Sequence, residues 1–350
     1  IHRLGADARV EAQLDPASLD DSACDELLAD LDTPMLDPAE LYRLHQDDRA
    51  LILGELAMAR WIRALHSHRQ LHEVMVGLWT DHFNVDSGSG QVINLKGTEE
   101  RDVLRAHALG RFADLLAADV ASPAMLVYLN NASSRADGQN IPNENHAREL
   151  LELHTVGVDG GYDEGDVLDV ARLLSGWTVD RRSGSMIFRD AWHYGGTIGG
   201  VLDWNPGTAR GRAAGDSFLD HLAHHPRTAH RVASRICRRF VSDSPSDALV
   251  TDAAEVYLDH DTELAPVVRH VLNSPEFAES GGAKTTTPFE FAAASARRLG
   301  AQVTGADDRR AATQLVGALG AMGSTPYRWP SPDGPPDLGA AWMNPGLMLA

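Results

Sequence analysis

The chain has 350 residues, enough to bury a large core and to form roughly one to three domains. Hydrophobic residues make up 43% and charged residues 23%, as in ordinary globular proteins, while a formal net charge of −19 disfavours nucleic acid or an anionic membrane as a generic partner. No apolar run approaches the roughly 18 residues that a membrane-spanning helix needs.

In chain order, residues 1–40 are acidic and broken by Pro16, Pro34 and Pro38. The sequence opens on Ile1, so an upstream segment is expected to have been removed or omitted, and the lack of a signal peptide within it carries no weight. From Pro38 to Trp79 the apolar spacing is helical: Leu51, Ile52, Leu56, Ala59 and Ile62 form one stripe, Leu71, Met75, Leu78 and Trp79 another. These read as core. Lysine occurs only at Lys96 and Lys284, which points to a GC-rich or salt-adapted genome rather than to function. Asp86–Gly90 is a loop, followed by a long predicted helix from Thr98 to Ala118 and a short one from Pro123 to Asn131. A polar loop, Ser133–Asn140, then leads to the most chemistry-rich part of the chain.

That part, from Pro142 to Thr178, reads PNENHARELLELHTVGVDGGYDEGDVLDVARLLSGWT, two helices joined by a glycine turn. Asn143 is placed to cap the first, and Gly157 or Gly160–Gly161 to end it. Asp163 and Asp166 have the spacing of a capping box for the second, which Gly176 closes. At the helical period of about 100° per residue, Glu144, Asn145, Arg148, Glu149, Glu152 and Thr155 share an arc of roughly 140°. Ala147, Leu150, Leu151, Leu153 and His154 lie opposite, with His146 at the edge. Such an arc is either a cleft-lining set of carboxylates with an amide and a guanidinium, or a solvated face laced by the i,i+4 pairs Glu144–Arg148 and Arg148–Glu152; spacing alone favours the second.

Downstream, TVDRRSGSMIF predicts a β-hairpin with Arg181–Ser185 as its turn. Helical period returns from Gly215. The segment HPRTAHRVASRICRRFVSD carries Arg227, Arg231, Arg235, Arg238 and Arg239, expected to pair with the acidic surface, with Arg235 a candidate to reach inward. LAPVVRHVLNSPEF and TTPFEFAAASARRLG are further amphipathic helices, and the Pro/Gly-rich tail from Thr325 carries Tyr327, Trp329 and Trp342, expected to pack on the body. Cys24 and Cys237 lack metal-type spacing; two buried thiols are favoured over a disulfide.

The string NENHARELLELHTVGVDGGYDEGDVLDVARLLSGWT resembles the signature of the bacterial domain-of-unknown-function 1800 family, an NEN-aromatic-ARELLEL-x-T-x-G pattern followed by an ARALTGW-like helix. The resemblance covers most of residues 60–345. Where the family commonly ends a helix in Trp-His-x-His-Phe, this chain has Trp79, Thr80, Asp81, His82 and Phe83, keeping the second histidine. Where the family commonly has His-Asp-x-Gly-x-Lys, it has His193, Tyr194, Gly195, Gly196, Thr197 and Ile198, keeping the histidine and glycine. The resemblance implies an exported bacterial protein, often encoded beside a sulfatase-like partner family.

These observations predict a mainly α fold: a single helical domain with a divergent segment at 1–40, a hairpin at 179–200 and a tail at 325–350. Hairpin and tail are expected to cap a cleft floored by the NEN helix. The function expected is a metal-assisted enzyme, hydrolytic or oxidative. His82, Glu149, Glu152 and His193 would be metal ligands for Zn, Fe or Mn; Arg148, Asn145, Glu149 and Glu152 would be catalytic, with Asn84, Asn143 and Glu144 toward a small-molecule or polymer substrate. The alternative is a non-catalytic envelope or binding protein in which Arg148 holds the same carboxylates as structure. No G-x-S-x-G elbow or H-E-x-x-H pattern occurs, which weakens serine hydrolase and zincin readings.

Overall fold

Apolar stripes at helical spacing are realised nearly throughout the computed structural model, which describes residues 5–45, 48–303 and 306–343. The described residues form eighteen α-helices and a single two-stranded sheet, so the fold is mainly α. The Pro38–Trp79 stretch becomes three helices, Pro38–His45, Arg49–His66 and Gln70–His82. Asp48 starts the second of these by accepting from Leu51 N at 3.0 Å, satisfying a first-turn N–H. Ile52, Leu56, Ala59 and Ile62 on one side of it, and Met75, Leu78 and Trp79 on the next helix, are all buried.

The long helix expected over Thr98–Ala118 is interrupted. Ile93–Glu99 widens into a π-helical stretch, Glu100–Arg105, and the chain then bends before Phe112–Val120. The physical reason lies at Gly110 and Arg111, whose backbone is claimed by a distant segment: Leu264 N donates to Gly110 O and Phe112 N donates to Thr262 O, each at 2.9 Å. Long-range pairing here outweighs local helical propensity. A further layer is built by Pro226–Phe240 against Asp247–Asp259 and Leu264–Leu272, and by Gly211–His224 against Phe112–Val120.

The larger apolar cluster runs from Leu14 to Val271; a second joins Cys24, Trp61, Ile62, Phe289 and Ala293. Cys24 and Cys237 are separate buried thiols, each pushed up to about 12 by burial. The acidic opening segment is integrated into the body: Ala6–Leu14 packs on Gln70–His82 and Leu264–Leu272, and Arg269 pairs with Glu11 at 2.7 Å.

The predicted hairpin forms, with Trp177–Val179 antiparallel to Met186–Phe188 in the register Trp177↔Phe188. Its first strand lies against Pro123–Tyr128 and Asn131–Ser133, and the groove it borders is lined by residues such as Leu95, Asn130 and Trp192, none of them on the NEN helix. The groove beside the hairpin is thus separate from the NEN helix. The tail does return to the body, strapped by Ser87 Oγ on Tyr327 O (2.6 Å) and Tyr128 Oη on Pro330 O (2.9 Å); its last residues, 344–350, lie outside the described residues.

One tail residue is fixed by geometry. Gly334 has φ +71°, and a Cβ there would collide with the Asp81 carbonyl. The left-handed conformation alone costs a non-glycine residue about 1–2 kcal/mol, and here the clash is with backbone. Gly334→Ala should therefore lower the melting temperature and expose residues 328–338 to limited proteolysis. Unchanged melting and digestion would show that the tail is not held at this point.

Candidate functional site

The NEN helix is two structures in series: an α-helical part, Asn145–Glu149, and a π-helical part, Leu150–His154. The wider turn is closed by Thr155, whose Oγ1 donates to Leu150 O at 2.7 Å, and by Gly157 N on Leu151 O at 2.9 Å. Asp163 and Asp166 form the capping box that opens the following helix, Glu164–Leu174. Asn143 Oδ1 accepts from Asn145 N at 3.0 Å, so its side chain orders the helix start.

Arg148 is the centre of the polar arc. It forks onto Glu164, with Nη1–Oε1 at 3.0 Å and Nη2–Oε2 at 2.7 Å, and is flanked by Glu144 at 3.4 Å and Glu152 at 3.5 Å. The i,i+4 lacing expected from spacing is present, and a carboxylate sixteen residues away completes it. The Arg148 hydrogen bond holds Glu164 below the usual carboxylate range. A guanidinium so engaged has no free fork for a substrate anion.

Glu149 differs from its neighbours. Among the described residues it has no ion-pair partner. Half-burial raises its carboxyl, and the charges of Glu152 and Asp333 raise it further. It faces the tail across Tyr128, whose hydroxyl is pushed up to about 12 by burial and then by Asp86, Glu149 and Asp333. The charges of three acids thus act on one partly buried phenol where helix and tail meet.

The two histidines carried over from the family pattern lie elsewhere. His82 is buried, its Nε2 3.0 Å from His154 O, its ring packed edge-on against Phe83 at 4.5 Å. His193 places Nδ1 2.8 Å from Ser175 O and packs against Phe188. Each imidazole is held by a backbone carbonyl, and neither hydrogen-bonds Glu149 or Glu152. Among the described residues no three His, Cys, Asp or Glu side chains stand close enough to hold a metal. The set His82, Glu149, Glu152 and His193 is therefore not brought together as one centre. Asp81 does not orient His82 either. It is turned among Arg60, Arg239 and Arg235, and burial pushes its carboxyl up to about 6.

Other expected site residues are used structurally. Asn84 is buried and spends both amide hydrogens on Trp329 O (2.9 Å) and Ser331 O (2.7 Å). Asn145 reaches Leu129 O at 3.4 Å. On the basic helix, Arg231 donates to Leu153 O at 2.9 Å, and Arg239 pairs with Glu290. Arg235 is partly buried with its Nε unpartnered, and desolvation lowers its pKa despite the charges of Asp81 and Asp337.

Two buried clusters lie away from this face. His146 and His154 are fully buried, and none of their ring nitrogens has a hydrogen-bond partner among the described residues. Burial depresses both, His146 to about 3. His154 was expected in the core from its place opposite the polar arc; His146, at the arc's edge, was not. The second cluster is Lys96 with Glu99 and Asp119, all buried, Lys96 Nζ standing 2.7 Å from Glu99 Oε2. Burial, reinforced by the Glu99 charge, pushes Asp119 well above the carboxylate range, so one cation serves two acids. The rarity of lysine in this chain was the signal available for it.

Fold and site together define a mainly helical protein with an acid-rich helix strapped by its own C-terminal tail. The model of the family described as protein of unknown function DUF1800 matches residues 1–350, and the chain belongs to that family, its first 40 residues included. No curated protein and no solved structure matches the chain.

Proposed function

We propose that the face between the NEN helix and the tail is a cation site to which Glu149 and Glu152 contribute two carboxylate ligands, substrate or solvent supplying the others, and that the protein is a metal-assisted enzyme acting there. The observation that carries this reading is Glu149: a half-buried carboxyl with no ion-pair partner among the described residues, its pKa raised by burial, Glu152 and Asp333 against the opposing charge of Arg148. Such a group gains most from an added positive charge. With both histidines engaged on carbonyls, the donors are oxygens, which suits Mn²⁺ better than Zn²⁺ or iron among the metals considered. A bound cation, held by Glu149 and Glu152, would supply Lewis acidity toward a substrate oxygen. Export and a sulfatase-like partner belong to the same proposal; no helix among the described residues is long and apolar enough to cross a membrane.

The Arg148 network favours a second reading, a binding protein whose polar arc is structural. Thermal melts with MnCl₂ and with EDTA separate the two. The enzyme reading expects Mn²⁺ to stabilise the wild type, by about 2.7 kcal/mol at a hundredfold excess over Kd, and to leave Glu149→Gln unmoved. Arg148→Ala should fold and lose about 1 kcal/mol or less, because the pair is partly solvated. No Mn²⁺ effect on the wild type, with a large loss in Arg148→Ala, would leave only the structural reading.

A further inference from the structure

A groove of about 560 Å³ opens where Pro288–Arg298 meets Arg49–His66 and Gln70–His82. Its volume is within the range of roughly 300–1,000 Å³ typical of small-ligand sites. The floor is apolar, formed by Ala64, Val74, Phe240, Phe289 and Ala293. The charged lining inverts the sign of the molecule: Arg60, Arg239, Lys284, Arg297 and Arg298 stand against only Glu73 and Glu290, in a chain of net charge −19.

The partners of these groups decide which charges are free. Glu73 is neutralised by Arg105 and Glu290 by Arg239. Lys284 is held by Asp243 at 3.0 Å and Asp337 at 2.9 Å. Arg297 closes the end of the Arg49–His66 helix by donating to Leu65 O at 2.6 Å. Arg60 and Arg298 have no ion-pair partner among the described residues. The Arg60 guanidinium lies 4.9 Å from the centroid of the Phe289 ring and 5.4 Å from that of Tyr327. Ring faces position a cation without neutralising it; the Asp81 carboxyl feels the Arg60 charge without pairing with it, and the guanidinium stands at the border between apolar floor and basic rim.

We propose that this groove binds an anionic amphiphile, a carboxylate or phosphate monoester on an alkyl chain. The chain would lie on Ala64, Val74, Phe289 and Ala293, and the head would be taken at the rim by Arg298, with Arg60 at the Phe289 end of the floor. The site is independent of the carboxylate face on the NEN helix and stands or falls separately from it.

Calorimetric titration below the micellar concentration tests it, with dodecanoate and dodecyl phosphate as probes and dodecanol and dodecyltrimethylammonium as controls. Both anions should bind, dodecanol at least about tenfold more weakly, the equivalent of one charge-assisted contact, and the cation not measurably. Whichever anion binds tighter assigns the head group, fatty acid or phosphorylated lipid. Ala294→Trp, at an exposed lining position, should block both anions by filling the groove. Should that variant misfold, Arg298→Glu, also exposed, decides by charge: it should weaken the anions about tenfold or more and leave dodecanol unchanged. The proposal is overturned if neither anion binds, if dodecanol or the cation binds as tightly, or if folded Ala294→Trp or Arg298→Glu binds dodecanoate like the wild type.

Discussion

Replacing His146 with phenylalanine should flatten the acid limb of the stability curve by about 1.36 kcal/mol per pH unit. The folded protein holds this imidazole neutral, at about 3, while the unfolded chain protonates it near its ordinary value of 6.5. A depressed folded value means that the contribution is complete above pH 6.5 and is lost as the pH falls toward about 3. Across that window the difference amounts to about 4–5 kcal/mol, comparable with the whole stability of many domains. Phenylalanine is larger, and overpacking will shift the curve by about 1–3 kcal/mol at every pH; the slope, not the offset, is the readout. His154→Phe should act alike, since His154 is equally buried and displaced in the same direction. Buried carboxyls such as Asp81 run the other way, so the comparison is between variant and wild type, by urea unfolding from pH 7 to pH 4. Parallel curves for His146→Phe and the wild type would mean that the imidazole titrates normally and is hydrated.

Lys96→Met should be the more damaging core substitution at neutral pH. It leaves Glu99 buried without its cation at 2.7 Å, a loss of about 3–5 kcal/mol when one member of a buried pair is removed. Lys96→Met combined with Glu99→Leu should recover most of that loss, because an apolar pair needs no desolvation of charge. Asp119→Asn should cost only about 1 kcal/mol or less at pH 7, since burial and the Glu99 charge already favour the neutral form of this carboxyl. Its raised folded value also fixes the sign with pH: the contribution is complete in acid and declines as the pH climbs through that value. Urea unfolding at pH 7 reads all three, and a double variant no more stable than Lys96→Met alone would contradict the account.

What could be read without coordinates follows from the range of the forces involved. The stripes of Ile52–Ile62 and Met75–Trp79, the capping box at Asp163 and Asp166, and the hairpin turn at Arg181–Ser185 are local patterns, and all are realised. Arg148 was legible as an i,i+4 centre, but its strongest partner, Glu164, depends on how two helices pack. His82 and His193 were assigned as ligands from their place in the family pattern; a backbone carbonyl as partner leaves no mark in the side-chain alphabet. The break at Gly110 was hidden likewise, since its cause is hydrogen bonding to residues 262–264. Tyr128, Asp86 and Asp333, scattered over 248 positions, meet only because the tail returns to the body.

The π turn at Leu150–His154 has a consequence for the length of the chain rather than its chemistry. The last carbonyls of a helix have no partner within it, and where this π turn ends two of them are taken up from afar, Leu153 O by Arg231 and His154 O by His82. Taking one residue out of this segment would restore a regular helix and swing Glu149 by about 100° relative to His154. The acid facing the tail and the imidazole facing the core would then no longer be in phase. The spacing of five residues between Glu149 and His154 is thus a counted interval, and alignments of the family should tolerate substitution there more readily than a gap.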